Sequence, residues 1–204
     1  KAIEVGISMV ADLKEKGYNV LATGEMGIGN TTTSSAVCSV LLDQSVEKVT
    51  GKGAGLTNKD LEHKIEVIRQ SIALNKVNAD DPLDVLAKVG GLDIAGMAGC
   101  YIGGAALNIP VFIDGFISSV AALIAIRLVP ECAPYLFPSH CSNEPAGRMI
   151  LDAIGKQPYI LANMCLGEGT GAVMGFTIAD YAFKAYWELP SFEQTNFGTY
   201  EELN

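Results

Sequence analysis

The 204-residue sequence predicts an α/β fold, a mostly parallel sheet with helices on both faces. Three observations lead there. Short apolar runs recur along the chain, stretches of helical periodicity separate them, and the runs open into glycine-bearing turns. Buried parallel strands read as such runs because both faces of the sheet are covered. Ligands of these sheets bind beyond the carboxyl ends of the strands. The turns after the four runs carry Glu25, Gly53, Asp114 and Glu168, so one chemistry can be assembled from all of them.

The elements follow in order. Residues 2–16 place Ile3, Ile7, Val10 and Leu13 on one face, and Gly17 stops the helix. Tyr18–Ala22 is the first apolar run and leads into the turn Gly24-Glu25-Met26-Gly27-Ile28-Gly29-Asn30. Thr31–Leu42 reads as a helix. Val46–Thr50 is the second run, followed by Gly51-Lys52-Gly53-Ala54-Gly55. Residues 58–75 form an amphipathic helix with Leu61, Ile65, Ile68 and Ile72 on its apolar face. Asp81-Pro82 marks a helix start with proline at the first helical position.

Ile94–Ile113 carries no formal charge and has about the length of a membrane span. Its glycines and the Asn108-Ile109-Pro110 step break a single helix there, so a buried Gly/Ala-rich helix followed by the short strand Val111–Ile113 is expected instead. Residues 116–128 are helical, 130–143 read as a loop rich in proline and cysteine, and 145–154 are helical again. Tyr159–Ala162 is the last run and opens into Leu166-Gly167-Glu168-Gly169-Thr170-Gly171, ahead of a helix at about 171–186. After Pro190 the chain is polar and reads as irregular. No linker or repeat divides it, so residues 1–190 are expected to form one α/β domain with a polar tail at 191–204.

Nearly half the residues are apolar, and the net charge is −9. That acidity disfavours nucleic acid and anionic membrane as partners. A phosphorylated small molecule stays open, because backbone N–H groups bind phosphate without net positive charge. The five cysteines show no C-x-x-C pair and suit buried thiols of a cytoplasmic protein. The chain starts at Lys1 without a basic-then-apolar leader, so no secretory signal is expected, and without an initiator Met, as a trimmed or partial chain does.

The first glycine-rich turn has G-x-x-x-x-G spacing from Gly24 to Gly29, but Asn30-Thr31 stands where a P-loop has Lys-Ser/Thr. It fits either a phosphate cradle or a plain strand–helix turn capped by Asn30 or Thr31. Gly51, Gly53 and Gly55 are a second candidate cradle, equally readable as a simple turn. Lys64 sits two turns into the next helix; most such lysines are solvated, but one pointing into a polar cleft would meet phosphate or carboxylate. Glu168 between glycines is the sharpest local signal, since substrate can approach a carboxylate held on so open a backbone. The alternative is a solvent-facing turn residue. His63 sits among charged neighbours at the surface. His140 beside Cys141 has no second ligand pair, so no metal site is expected, and no cofactor.

Taken together, these segments resemble one family, the nicotinate-nucleotide–dimethylbenzimidazole phosphoribosyltransferases. The resemblance rests on Gly24 to Thr32, on Gly51-x-Gly53-x-Gly55-Leu56 with Lys64-Ile65, and on Asp81-Pro82-Leu83 with Val89-Gly90-Gly91. It continues through Asp114-Gly115-Phe116, His140-x-Ser142-x-Glu144-Pro145 and Leu166 to Gly171, in family order over nearly the whole chain. It implies a Rossmann-like domain in a homodimer, with a partial small helical domain on which the 191–204 tail packs, because the family carries a further N-terminal region that this chain lacks.

The activity implied is transfer of the 5-phosphoribosyl group from nicotinate mononucleotide to 5,6-dimethylbenzimidazole, giving α-ribazole 5′-phosphate and nicotinate in cobalamin lower-ligand synthesis. By the same resemblance Glu168 is the catalytic base, and Glu25 and Lys64 lie in the site. Gly27, Gly29, Asn30, Thr31, Gly53, Gly55, Asp114, Gly115, Ser142, Leu166, Gly169, Thr170 and Gly171 are implied to surround the substrate and its phosphate.

The chemistry is coherent with these roles. Nicotinate bonded through its ring nitrogen is cationic and leaves without acid help. The incoming benzimidazole must shed a proton as its nitrogen bonds to C1′, which a carboxylate can accept. The same charge stabilises oxocarbenium character at the ribose. Two other classes stay open: a partner-dependent or non-catalytic nucleotide-binding homologue, and a kinase or dehydrogenase on a similar frame. The absent P-loop lysine counts against a kinase. Asp43 falls early and Glu47 close to the place where a dehydrogenase holds its ribose.

Overall fold

The computed structural model describes residues 1–53 and 55–195. Three short strands, β1 (Leu21–Ala22), β2 (Val111–Ile113) and β3 (Leu136–Pro138), form a parallel sheet in the order β1-β2-β3. Leu21 faces Val111, and Phe112 lies between Ala22 and Phe137. A parallel bridge from His140 to Ile160 continues the sheet by one residue. Strand residues alternate between faces. Val111 and Ile113 join the main apolar core, while Phe112 packs edge-on against Phe176 of the helix Thr170–Glu188, so helices cover both faces.

The helices are α1 (Ala2–Glu15), α2 (Thr31–Leu41), α3 (Val46–Val49), α4 (Asn58–Asn75), α5 (Pro82–Val89), α6 (Leu92–Ala106), α7 (Phe116–Leu128), α8 (Gly147–Ala153), α9 (Thr170–Glu188) and α10 (Phe192–Thr195). A 3-10 helix, Pro130–Tyr135, precedes β3. Caps explain several starts. The Thr57 hydroxyl accepts the Asp60 N–H ahead of α4, and the Asp81 carboxylate accepts the Leu83 N–H with Pro82 at the first position of α5. No helix among the described residues is long and apolar enough to cross a membrane.

Helices α1 and α6 meet backbone to backbone. A Cβ on Gly6 would lie 2.0 Å from the Gly96 carbonyl oxygen, and one on Gly99 2.0 Å from that of Ile3. This contact stands beside the fully buried Tyr101, whose hydroxyl lies 2.6 Å from the Thr23 Oγ1 and donates to the Ser118 carbonyl at 3.1 Å. Thr23 is the last residue before the first glycine-rich turn, so α6 fixes where that turn leaves the sheet.

Four expectations are corrected. Val46–Val49 is a helical turn, not a strand, since Val46 and Val49 bury one i,i+3 face behind Ser45. The 130–143 segment is not all loop: it holds the 3-10 helix and β3, whose Pro138 ends the strand opposite Ile113. Tyr159–Ala162 contributes only the Ile160 bridge. Of the tail at 191–204, Phe192–Thr195 is a helical turn rather than irregular chain, and residues 196–204 lie outside the described residues.

Candidate active site

The turns at the carboxyl ends of the strands enclose a cleft of about 410 Å³, the size of a small-molecule site. Its wall takes Glu25, Met26 and Gly27 from the turn after β1, and Asp114 to Ser118 from the end of β2 and the start of α7. His140 and Ser142 to Pro145 follow β3, and Met164 to Gly167 precede α9. Thr31 and Leu61 come from α2 and α4, and Thr50 to Gly53 from the loop after α3.

Two of these turns interlock. The Glu168 N–H donates to the Glu25 carbonyl at 3.0 Å, and a Cβ on Gly24 would lie 2.5 Å from the Gly169 nitrogen. Gly24 therefore has to be glycine for the turns to touch. Gly167, Glu168 and Gly169 all have left-handed backbone, with φ of 75°, 58° and 81°. For the glutamate this conformation is unfavourable, and strain of that kind concentrates at functional turns. The Glu168 side chain is exposed, beside Gly167 on the cleft wall but not itself on that wall, and no side-chain hydrogen bond holds it among the described residues. Glu25 is half-buried, and its Oε2 accepts the Gly27 N–H at 2.5 Å.

Asp114 holds this arrangement from below. It is 1 % exposed; its Oδ2 accepts the Gly169 N–H at 2.9 Å and its Oδ1 the N–H groups of Gly171 and Ala172 at 2.8 and 3.2 Å. A carboxylate so placed complements the dipole at the start of α9. Thr170 closes the turn by donating from Oγ1 to the Gly167 carbonyl at 2.7 Å.

The opposite wall is built over Lys64. This side chain is not solvated; the residue is 7 % exposed and donates to the Thr31 Oγ1 at 2.9 Å and to the Gly51 carbonyl at 3.0 Å. Burial pushes its pKa down, opposed by the nearby Glu144, and burial pushes the Glu144 carboxyl up, opposed by Lys64. Glu144 lies against the Gly51 backbone, where a Cβ would come within 1.9 Å of its Oε2. Gly53 has φ 57° and lies beside Thr31. Thr50 also belongs to the cleft wall, and its hydroxyl is buried without a hydrogen-bond partner among the described residues.

Of the residues the sequence singled out, Glu25, Gly27, Thr31, Gly53, Asp114, Gly115, Ser142 and Leu166 line the cleft. Lys64, Gly169 and Gly171 stand directly behind it through the bonds above. Glu168, next to the lining residue Gly167, and Thr170 are not on its wall, and neither are Gly29 and Gly55, with φ of 85° and 109°. Asn30 turns away, donating from its side-chain amide to Asp93 at 2.8 Å and leaving the α2 start without a side-chain cap. His63 is exposed. Among the described residues no cluster of His, Cys, Asp and Glu could hold a metal ion.

From sequence, His140 has no role once a metal site is set aside, and neither Glu144 nor Thr50 has one. His140 is 2 % exposed, with Nδ1 3.2 Å from the Ser139 Oγ and 4.0 Å from the Asp114 Oδ1, and burial pushes its pKa down. The available signal was the His-x-Ser-x-Glu-Pro run itself, in which only the serine was assigned a role.

A family model described as Phosphoribosyltransferase matches residues 1–197. A protein of Ruminiclostridium cellulolyticum named nicotinate-nucleotide–dimethylbenzimidazole phosphoribosyltransferase is 54% identical over 100% of this chain and 58% of its own length. One of the same name from Acetivibrio thermocellus is 51% identical over 98% of this chain and 57% of its own length. The crystal structure of CobT from Thermus thermophilus superposes with a TM-score of 0.90 at 32% identity, over 97% of this chain and 59% of that one. The chain thus spans under three-fifths of the length of these relatives.

Proposed function

The chain belongs to the nicotinate-nucleotide–dimethylbenzimidazole phosphoribosyltransferase family, and on that premise we propose that the full-length protein transfers the 5-phosphoribosyl group of nicotinate mononucleotide to 5,6-dimethylbenzimidazole. The products are α-ribazole 5′-phosphate and nicotinate, the chemistry of cobalamin lower-ligand synthesis. One observation carries the reading: the Glu168 turn is fastened to the Glu25 turn across the mouth of a cleft whose far wall is built on Gly51, Gly53 and Lys64.

In this reading the phosphate binds at the Lys64 side. Gly51 and Gly53 let a ligand come close to the backbone there, Ser142 lies on the cleft wall, and the ammonium behind it offsets the charge. Asp114, with its oxygens on the N–H groups of α9, acts as the positioning group for the Glu168 turn. The benzimidazole nitrogen attacks C1′ as the C1′–nicotinate bond breaks; the bonding pair leaves with the nicotinate ring. The proton shed by the benzimidazole goes to the Glu168 carboxylate. Attack opposite the leaving group converts a β-nucleotide into an α-riboside.

Turnover of nicotinate mononucleotide with dimethylbenzimidazole by the full-length protein tests the reading. Formation of α-ribazole 5′-phosphate is expected. Binding of the mononucleotide without turnover would favour a non-catalytic homologue, and absence of both would remove the reading.

A homodimer and a cytoplasmic setting belong to the same proposal. The outer half of α9 exposes Tyr181, Phe183, Tyr186 and Trp187, an apolar surface suited to burial against protein. The five thiols, none in a disulfide, suit a reducing compartment. Light scattering on the full-length protein should give twice the protomer mass; a monomer would remove the dimer from the proposal.

A further inference from the structure

His140 lies on the cleft wall almost fully buried, and none of the steps proposed above uses it. Its surroundings fix which nitrogen carries the hydrogen. A serine hydroxyl has one proton to give. That of Ser139 goes to the Ile113 carbonyl, 2.7 Å away, so the Ser139 oxygen meets His140 Nδ1 as an acceptor at 3.2 Å. Asp114 Oδ1, 4.0 Å from the same nitrogen, reinforces a hydrogen at that position. The ring is clamped there as well, because a Cβ on Gly171 would come within 2.0 Å of Nδ1 and 2.4 Å of Cε1.

The other edge of the ring is free. Nε2 has no hydrogen-bond partner among the described residues, and a Cβ on Gly115, itself on the cleft wall, would lie 3.6 Å from it. Burial favours the neutral ring. A neutral imidazole with hydrogen on Nδ1 presents a lone pair at Nε2, so it can only accept there. At neutral pH the nicotinate carboxylate is ionised and the phosphate mostly dianionic, so both act mainly as acceptors. Among the donors of the proposed substrates, the benzimidazole N–H is assigned to Glu168, and the ribose hydroxyls remain.

We propose that His140 Nε2 accepts a hydrogen bond from a ribose hydroxyl of the bound nucleotide and so orients the sugar between the phosphate wall and the Glu168 turn. The proposal rests on the nucleotide reading of the cleft. It makes His140 a positioning residue that selects a nucleotide carrying that hydroxyl over one lacking it.

Calorimetry on the full-length protein tests it, with nicotinate mononucleotide and its 2′-deoxy and 3′-deoxy analogues as probes. The wild type should bind one deoxy analogue roughly tenfold more weakly, the size expected for one hydrogen bond to a buried acceptor. His140→Leu should abolish that preference, and His140→Gln, whose amide oxygen reaches the Nε2 position, should restore part of it. Equal affinities of the wild type for the three probes overturn the proposal, however the variants fold. A loss in His140→Leu that is the same for every sugar overturns it too, since that is what a purely structural histidine would give. Failure of nicotinate mononucleotide itself to bind would overturn the nucleotide reading, and this proposal with it.

Discussion

Glu168 donates its backbone N–H to the carbonyl oxygen of Glu25 at 3.0 Å, joining turns from opposite ends of the chain back to back. Two carboxylates therefore stand on one rigid double turn, in different states. Glu25 is committed to the Gly27 N–H, whereas Glu168 is exposed and carries no side-chain bond among the described residues. Of the two, Glu168 is the one free to meet an incoming proton donor.

Glu168→Gln should lower kcat by roughly 100- to 10,000-fold, the range of general-base catalysis, with the mononucleotide still bound. Glutamine keeps the size and meets the left-handed backbone no worse than glutamate does. Steady-state turnover together with calorimetry separates the two effects. A variant with near-full activity would move the role to another group, with Glu25 the next candidate.

Gly24→Ala should reduce activity by moving Glu168 without touching it. Its Cβ would sit 2.5 Å from the Gly169 nitrogen and 2.7 Å from its Cα, both backbone atoms that cannot swing aside. Overpacking of this kind costs about 1–3 kcal/mol, so the melting temperature should fall together with kcat. Unchanged kcat in a folded Gly24→Ala protein would mean that contact between the two turns is not needed for turnover.

Much of this was readable before the structure, and the rest has identifiable reasons. Helices α4 and α5 were legible because Thr57 and Asp81-Pro82 announce their starts. The Gly24, Gly53 and Gly167 turns were legible because positive φ and close approach restrict a site to glycine. Val46–Val49 misled because a four-residue apolar run has no period of its own. Strand β3 was hidden by a proline at its end and a proline-rich 3-10 helix before it. The burial of Lys64 and His140 was not legible, for a different reason. Their burial comes from partners distant in sequence, Gly51 and Thr31 for the one and Asp114 for the other, and local pattern does not report those contacts.

Lys64→Ala should cost both affinity and stability. It leaves the Gly51 carbonyl and the Glu144 carboxylate on the cleft wall without their cation, and each buried group left unpaired costs about 1–3 kcal/mol. Calorimetry should show weaker binding of the mononucleotide, and thermal melting a clear drop. Adding Glu144→Gln to Lys64→Ala should recover part of the melting temperature by removing the stranded charge, while affinity stays low. An additive double variant, with no recovery, would show that Glu144 and Lys64 do not interact.

The last prediction concerns acid. In the unfolded chain a histidine takes up its proton near pH 6.5, whereas in the fold burial holds the His140 ring neutral to a lower pH. Between those two values the unfolded state binds more protons, so stability rises with pH there and is lost as pH falls through that window. Below the folded value both states are protonated and the contribution levels off. Asp114, 4.0 Å from Nδ1, limits the effect because it favours the imidazolium, but burial is the larger influence. Urea midpoints of the wild type from about pH 7.5 down to about pH 5 should therefore decline more steeply than those of His140→Gln, which has no proton to gain. Parallel curves for the two proteins would show that His140 takes up its proton equally well folded and unfolded, and the neutral ring assigned to the cleft would have to be given up.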